Sequence, residues 1–399
     1  MDLKQSIKQL TKKYYPEIIE VRRHIHENPE LSFQEFNTSK YICAKLDEYG
    51  IPYKGGYVKT GIVGVIKGKN PDKKVIALRA DMDALPINES EDNQVRSRNK
   101  GVMHACGHDA HSASLLGTAR ILNELKEQWE GTVLLIFQPG EESFPGGAKL
   151  MMEEGALDNP KPDIIIGQHV LPDMATGHVG FKEGMYMASG DEVYLTVSGK
   201  GGHAAMPHTL TDTVLIASHI IVALQQVVSR IVPANIPTVL SFGKVIANGA
   251  TNIIPEKVEI AGTLRTMNEE WRGKLKVQIQ KIAAEVAASM GATCKVMIND
   301  GYPVVTNEAK VTARAFEAAQ KYLGQERVHK MDIRMTAEDF GYYTQTYPCT
   351  FYRFGVKQPE DVHTGGLHTP GFNLNESSLE TSVGLMAYIA LILLEGSNE

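Results

Sequence analysis

Hydrophobic residues recur every three or four positions over residues 3–27, and this spacing predicts an amphipathic helix. Pro16 lacks an amide donor, so we expect it to kink or restart that helix, and we expect Pro29 to end it. The same spacing over residues 33–49, followed by Gly50, predicts a second helix. The chain therefore begins with two helices that each present one apolar face.

Short apolar runs bounded by turn residues come next and predict strands over residues 61–66, 74–79, 132–137 and 163–169, with a helix over residues 110–126. Continuous apolar strands that alternate with helices are typical of a sheet covered on both faces. Ligands of such sheets bind beyond the carboxyl ends of the strands. Polar side chains stand at strand ends of this kind: Asp81, Asp83, Glu141, Glu142 and His169.

The pattern changes near Met187, where polar and apolar residues begin to alternate. The predicted order from there is strand, helix, strand, strand, helix, strand, which is the split βαβ arrangement of ferredoxin-like domains. The helix-and-strand style of the first part then resumes. We therefore predict a larger α/β domain built from residues 1–186 and 300–399, with an α+β domain of residues 187–299 inserted into it.

Composition narrows the class of protein. The 399 residues carry a formal net charge of −6, so there is no basic surplus to neutralise phosphates and we expect no nucleic-acid partner. The four cysteines include no Cys-x-x-Cys pair, which fits a reducing compartment. No signal peptide is visible, and no apolar run approaches the roughly 20 residues of a membrane span. We expect a cytoplasmic protein without a membrane partner.

The segment from His104 to His111 carries the densest chemistry, because Cys106, His108 and Asp109 lie between those two histidines. Cysteine and histidine ligate Zn²⁺, Mn²⁺, Ni²⁺ or Co²⁺. Cys106 and His108 are two positions apart on a predicted loop before a helix, a spacing that can direct both side chains at one ion. The cluster therefore predicts a metal site.

An acidic pair, Glu141-Glu142, follows one strand later. Hydrolysis of a peptide-like bond needs a polarised carbonyl, a nucleophilic water and a group that carries the proton to the leaving nitrogen. Glu142 can supply an oxygen ligand and Glu141 can act on the water. We favour His169 as a further ligand, whereas Asp81 is either a ligand or a residue that orients one. No Gly-x-Ser-x-Gly motif is present, which argues against a serine hydrolase.

Further candidate residues lie later in the chain. His368 and His363 compete for any assignment near the C-terminus, because spacing does not separate them. In the inserted domain, a glycine-rich turn carries His203, for which a plain turn histidine is the alternative. Asn252 and Arg265 end strands of the same domain, and arginine is the preferred partner of a carboxylate.

Eight motifs in order span nearly the whole chain. They are Arg22–Phe33, Arg79–Pro86, Met103–His111, Phe137–Glu142, Gly201–His208, Asn252–Glu256, Gly262–Arg265 and Leu367–Pro370. In this combination the chain resembles the metallopeptidase family of aminoacylases and glutamate carboxypeptidases. It is most similar to the amidohydrolase branch, which includes hippurate hydrolases, N-acetyl-diaminopimelate deacetylases, N-acyl-amino-acid hydrolases and plant auxin-conjugate hydrolases.

The resemblance implies a zinc-peptidase-like α/β catalytic domain that contains a dinuclear metal site. It implies five metal ligands, which are Cys106, His108, Glu142, His169 and His368. It implies Glu141 as the general base and Asp83 as a residue behind the ligands. Asp81 stands where other branches have a metal-binding histidine, so its role stays open, as do those of His104, His111 and His363. Gly140 replaces a commoner alanine, and we expect no effect on the chemistry.

The expected reaction is hydrolysis of the amide that joins an acyl group to an amino acid. Two divalent ions per subunit are expected, Mn²⁺ or Zn²⁺, with Ni²⁺ and Co²⁺ as further candidates. Arg265 and Asn252 would hold the substrate carboxylate, and His203 would contact substrate across a homodimer or higher oligomer made by the inserted domains. The alternatives are a dipeptidase or carboxypeptidase of the same family, and a catalytically silent metal- or peptide-binding protein. The intact Glu141 counts against silence.

Overall fold

A computed structural model describes residues 2–359 and 364–396 of the chain. The chain divides into two compact units. The larger unit extends to Gly184 and includes Thr306–Asp332 and the residues from Tyr342 onward, whereas the inserted unit comprises Met185–Val305 and Ile333–Gly341. The sequence-based division differs from this one at residues 185–186, 300–305 and Ile333–Gly341, all of which belong to the inserted unit.

The helices are α1 (Leu3–Glu27), α2 (Phe36–Glu48), α3 (His108–Glu124), α4 (Gly147–Glu153), α5 (Thr213–Gln226), α6 (Glu269–Ser289), α7 (Ala309–Leu323), α8 (Gly341–Thr344) and α9 (Ser378–Leu394). The strands are β1 (Tyr53–Tyr57), β2 (Gly61–Lys67), β3 (Val75–Asp81), β4 (Thr132–Gln138), β5 (Ile164–Ala175), β6 (Val179–Phe181), β7 (Gly184–Met187), β8 (Asp191–Ser198), β9 (Gly202–His203), β10 (Thr238–Ala247), β11 (Ile253–Ile254), β12 (Lys257–Thr266), β13 (Thr293–Asn299), β14 (Val305–Asn307), β15 (Val328–Lys330) and β16 (Cys349–Lys357).

An eight-stranded mixed sheet forms the centre of the larger unit, in the order β1-β2-β4-β3-β5-β16-β6-β15. Its four middle strands are parallel, and Leu78 of β3 pairs with Leu135 of β4 and with Ile166 of β5. All three side chains are fully buried, as continuous apolar strands require. Because these strands are parallel, the carboxyl ends of β3 and β4 lie level with His169 of β5, and the loops that carry Asp83, Glu141 and Glu142 begin there.

Three local expectations change in the structure. Helix α1 continues through Pro16 as one helix. His108 is the first residue of α3 and does not belong to the loop before it. His169 does not end its strand, because β5 continues to Ala175 through further pairing with β16. In each case tertiary packing or pairing extends an element beyond the point at which the local pattern stops.

The inserted unit has a four-stranded antiparallel sheet in the order β10-β12-β8-β13. With α5 after β8 and α6 after β12, this is the split βαβ arrangement predicted from the sequence. Leu195 of β8, Ile220 of α5 and Ile279 of α6 belong to one buried apolar cluster. This unit therefore has its own core.

The helix over Thr213–Ile231, which is α5 with a π-turn after it, is long and apolar enough to cross a membrane by length and composition. The expectation that no apolar run approaches that length is therefore wrong for this one segment. Length and composition are weak evidence here, because core helices of globular proteins meet the same two criteria. The cytoplasmic location stays a prediction.

Candidate metal centre

Cys106 and His108 converge because Gly107 between them turns the chain into α3. Gly107 has φ +82°, and a Cβ placed on it would lie 2.7 Å from a methyl carbon of Val170. Only glycine adopts this conformation at little cost and leaves room for that contact. The Cys106 Sγ then lies 3.4 Å from Nε2 of His169. Cys106, His108 and His169 are all buried.

Cys106 also belongs to a second group of potential ligands. Its Sγ lies 3.3 Å from Nε2 of His368, and that nitrogen lies 3.1 Å from Oε1 of Glu142. His368 has φ +60°, and its backbone N–H donates to Ala105 O at 2.9 Å. The structure thus brings together all five predicted ligands. His363, the alternative to His368 in the sequence, lies outside the described residues.

The ligand atoms form two groups of three that share the Cys106 sulfur. One group is Cys106, His108 and His169, and the other is Cys106, Glu142 and His368; within each group the ligand atoms lie within 4.8 Å of one another. Two adjacent groups with one shared thiolate are the donor set expected of two neighbouring divalent ions.

Two of the imidazoles are oriented with Nε2 towards the centre. A carbonyl oxygen only accepts hydrogen bonds, so His108 must donate from Nδ1 to Asp83 O at 2.9 Å, and His169 must donate from Nδ1 to Val170 O at 2.8 Å. In their neutral forms both rings then carry a lone pair on Nε2. The Nε2 atom of His108 is buried and has no hydrogen-bond partner among the residues that the structure describes. This is the usual arrangement of metal-binding histidines.

Asp83 joins the separate segments of the centre. Its carboxylate accepts the backbone N–H of Glu141 at 3.1 Å, the N–H of Glu142 at 2.9 Å and the hydroxyl of Ser32 at 2.6 Å. Burial alone would raise the pKa of Asp83, but the hydrogen bond and charge of His108 outweigh it, so the pKa is lowered. Asp83 is therefore an ionised acceptor behind the potential ligands.

Glu141 lies beside two potential metal ligands, the imidazole of His108 and the carboxylate of Glu142. Its side chain is 6% exposed, and its carboxylate forms a third close group with His108 and Glu142. Both adjacent glutamates therefore face the centre, and Glu142 also contacts His368.

Asp81 and His111 behave differently from the other candidates. Val170 donates its N–H to Nε2 of His111 at 3.0 Å, so His111 must donate from Nδ1 to Asp81 at 2.6 Å. Arg79 donates to the other oxygen of Asp81 at 2.5 Å. Although Asp81, His108 and His111 lie close enough to share an ion, both nitrogens of His111 are already used. The geometry therefore favours a supporting role for this pair.

A buried polar network at the start of α3 was not found from the sequence. Arg22 and His26 of α1 contact Asp109 at 2.7 and 2.8 Å, and His26 contacts Glu89 at 2.9 Å. The only signal was the spacing of Arg22 and His26, which puts them on one face of α1. His104 is also buried, and burial lowers its pKa to about 4. Within the described residues its ring nitrogens have no hydrogen-bond partner, and the structure gives it no role.

In the inserted unit, His203 and Asn252 lie at one small two-stranded antiparallel sheet. His203 of β9 pairs with Ile253 of β11, and Ala204 donates its N–H to Asn252 O at 3.0 Å. His203 is exposed and accepts the N–H of Ala205 on Nδ1 at 3.1 Å. Arg265 lies on β12, is half-buried and contacts the Thr263 hydroxyl. The substrate roles of these three residues stay predictions.

Residues 77–392 match peptidase family M20/M25/M40, and the chain belongs to this family. It is 39% identical over 385 residues to N-acetylcysteine deacetylase of Bacillus subtilis, covering 96% of this chain and 98% of that protein. It is 36% identical over 402 residues to thermostable carboxypeptidase 2 of Saccharolobus solfataricus, covering 100% of both. A solved structure from Bacillus subtilis, described as a dinuclear metal binding peptidase of the M20 family, superposes with a TM-score of 0.82 at 35% identity, covering 96% of this chain and 99% of that one.

The family resemblance and the fold class predicted from the sequence are therefore confirmed. The chain is a metal-dependent hydrolase that acts on linear amides.

Proposed function

We propose that the protein cleaves the amide bond of N-acyl amino acids at a centre of two divalent ions, with Glu141 as the general base. The observation that carries this proposal is the pair of ligand groups that share Cys106, with the Glu141 carboxylate beside them. The relative named as an N-acetylcysteine deacetylase supports an N-acyl amino acid as the substrate class.

The side chains fit two metal ions. Cys106, His108 and His169 would hold one ion, and Cys106, Glu142 and His368 would hold the other. The unpartnered, buried Nε2 of His108 supports this fit, because a buried nitrogen without a partner is costly unless a ligand satisfies it. Thiolate and imidazole donors suit Zn²⁺, and Mn²⁺ is expected from the family resemblance. When bound, such ions polarise the amide carbonyl and lower the pKa of a water molecule.

The side chains of the protein then supply the proton transfers. Glu141 takes a proton from the attacking water and delivers it to the departing amine nitrogen. Asp83 keeps Glu141 and Glu142 in place through their backbone N–H groups. Arg265 and Asn252 are proposed to bind the carboxylate of the amino acid, since arginine forms strong charge-assisted bonds with carboxylates.

A panel of N-acetyl amino acids, benzoyl amino acids and dipeptides, each assayed with Zn²⁺ and with Mn²⁺, tests the proposed reaction. We expect the N-acyl amino acids to be hydrolysed and the metal-free protein to be inactive on all of them. Faster cleavage of dipeptides would favour the second candidate, a carboxypeptidase or dipeptidase, which the similarity to thermostable carboxypeptidase 2 supports. Metal binding without any hydrolysis would contradict both.

A homodimer through the inserted unit, with His203 acting on substrate bound to the other chain, is also proposed from the family resemblance. A cytoplasmic location is proposed from the four scattered cysteines, which fit a reducing compartment.

A further inference from the structure

A second buried carboxylate, Glu35, contacts the loop that carries Glu141 and Glu142. Glu35 is 0% exposed and lies just before α2, far from that loop in sequence. Its Oε1 accepts the backbone N–H of Gly140 at 2.9 Å and that of Phe33 at 2.8 Å. Its Oε2 accepts the hydroxyl of Thr60 at 2.7 Å. Glu35 therefore bridges three separate segments of the larger unit.

Three successive N–H groups of this loop end on buried carboxylates. Gly140 donates to Glu35, whereas Glu141 and Glu142 donate to Asp83. Hydrogen bonds to an ionised acceptor such as Asp83, whose pKa is lowered, are roughly twice as strong as neutral ones. A loop that is fixed at consecutive backbone groups has little freedom to move the side chains that it carries.

The fit between Phe33 and Gly140 supports the same arrangement. Gly140 has φ +59°, and a Cβ on it would lie 2.3 Å from the ring of Phe33. Phe33 itself has φ +63°, an uncommon conformation for a bulky side chain. Glu35 accepts the N–H of Phe33, so the same carboxylate holds both halves of this close contact. The presence of glycine at position 140 thus has a structural reason.

The carboxyl group of Glu35 is costly to ionise at this buried position. Burial, together with the nearby charge of Asp83, raises the pKa of Glu35 to about 7. A buried carboxylate that is costly to ionise contributes little to stability for its own sake. Its hydrogen bonds go to the loop of the proposed base, which points to a role at the centre.

We infer that Glu35 is a positioning residue that holds the Gly140–Glu142 loop so that Glu142 binds its ion and Glu141 reaches the attacking water. This inference rests on the proposed function, because it assigns Glu142 as a ligand and Glu141 as the base. Glu35 contacts the loop of Glu142 and none of the described contacts joins it to Cys106, His108 or His169. Its removal should therefore weaken one ion more than the other.

The test titrates metal-free Glu35→Ala protein with Zn²⁺ against a colorimetric chelator. We expect the ion held by Cys106, His108 and His169 to bind as in the wild type. The ion held by Cys106, Glu142 and His368, here called the second ion, should bind roughly 10- to 100-fold more weakly, the usual effect of losing a residue behind a ligand. On the best N-acyl amino acid, kcat should fall by a similar factor while KM changes little, because the loop carries the base. Glu35→Gln keeps an acceptor for both N–H groups and should restore most of the second-ion affinity.

Glu30→Gln is the matched control. Glu30 is five residues earlier and also accepts backbone N–H groups, those of Asn37 and Thr38, but it has no described contact with the Gly140–Glu142 loop. It should leave both metal affinities and kcat unchanged. If Glu35→Ala does not fold, Thr60→Val removes one donor to Glu35 and should weaken the second ion alone, by a smaller factor.

Equal affinity for the second ion in wild type, Glu35→Ala and Thr60→Val would overturn the inference, as would equal weakening of both ions. The metal readout does not depend on the substrate. If the wild type hydrolyses no N-acyl amino acid, the proposed function fails, whereas the selective loss of the second ion still decides the role of Glu35.

Discussion

At the residue scale, the candidate centre depends on which atoms of each side chain are already occupied. His108 and His169 use Nδ1 on backbone carbonyls and keep Nε2 for the centre, whereas His111 uses both nitrogens. The sequence alone gives three histidines and a cysteine close together and one more histidine further along, without these differences. Hydrogen-bond partners from distant segments decide which histidines can bind metal.

The adjacent glutamates have different predicted roles. Glu141→Gln should retain two ions per chain and lower kcat by roughly 10²–10⁴-fold, the usual contribution of a general base. Glu142→Gln should instead lose one ion. Metal content by atomic emission and steady-state kinetics on the same samples separate the two. Loss of an ion from Glu141→Gln would mean that the roles of the pair are exchanged.

The thiol of Cys106 should be protected by metal. In the protein without metal, burial raises the pKa of Cys106, so alkylation is expected to be slow at neutral pH and faster at alkaline pH. A thiolate that binds two ions is occupied, so the metal-loaded protein should resist alkylation at every pH tested. Mass spectrometry of the labelled peptide measures this. Cys43, half-buried against the core, should label slowly in both states; equal labelling of Cys106 in both would refute its role as a ligand.

At the scale of elements, buried ion pairs connect α1 to the first turn of α3, next to the turn that carries Cys106 and His108. Arg22 and His26 of α1 face Asp109 in the first turn of α3, and His26 also faces Glu89. Burial and Arg22 lower the pKa of His26, but the carboxylates of Asp109 and Glu89 outweigh them and the pKa is raised. Protonation of His26 between these two acids is therefore more favourable in the folded protein than in the unfolded chain.

This arrangement predicts how stability changes with pH. Because the folded-state pKa of His26 lies above its unfolded value of about 6.5, its contribution is fully present below that pH and is lost as pH rises through the folded-state pKa. His26→Gln should lower the free energy of unfolding by about 3–5 kcal/mol at low pH, as for a broken buried ion network. The free energy of unfolding of His26→Gln should also fall less than that of the wild type as the pH rises.

Urea unfolding at several pH values compares His26→Gln with wild type. His24→Gln is the control, because His24 lies two residues away on the same helix and is exposed. A wild-type stability that does not fall above neutral pH, or an equal slope in His26→Gln, would contradict the assignment of charge to His26.

The sequence predicts the elements well and finds five candidate ligands that the structure brings together, whereas it misses the supporting contacts. Apolar runs and helical spacing locate β3, β4 and α3 to within a few residues, because buried faces leave a periodic signal. The side chains of Cys106 and His108 stand out because few other roles need that spacing. Glu35 leaves no local signal, since its partners Gly140 and Thr60 become neighbours only in the folded sheet.

At the scale of the whole molecule, the family resemblance predicts a dimer with His203 acting between chains. Mixing His203→Ala with Glu141→Gln under conditions of subunit exchange should then restore about a quarter of wild-type activity, since half of the dimers are mixed and each holds one intact site. If His203 acts within its own chain, every site is damaged and the mixture stays inactive. A monomer in sedimentation velocity would also exclude action between chains.

The central claim is that two ions, held by groups that share Cys106, are needed to hydrolyse an N-acyl amino acid. It is tested most directly by adding Zn²⁺ or Mn²⁺ stepwise to metal-free protein and following release of the free amino acid from N-acetyl substrates. We predict that full activity requires two ions per chain and that Cys106→Ser weakens the binding of both. Full activity with no ion or one ion, or two bound ions without hydrolysis of any N-acyl amino acid, would contradict it.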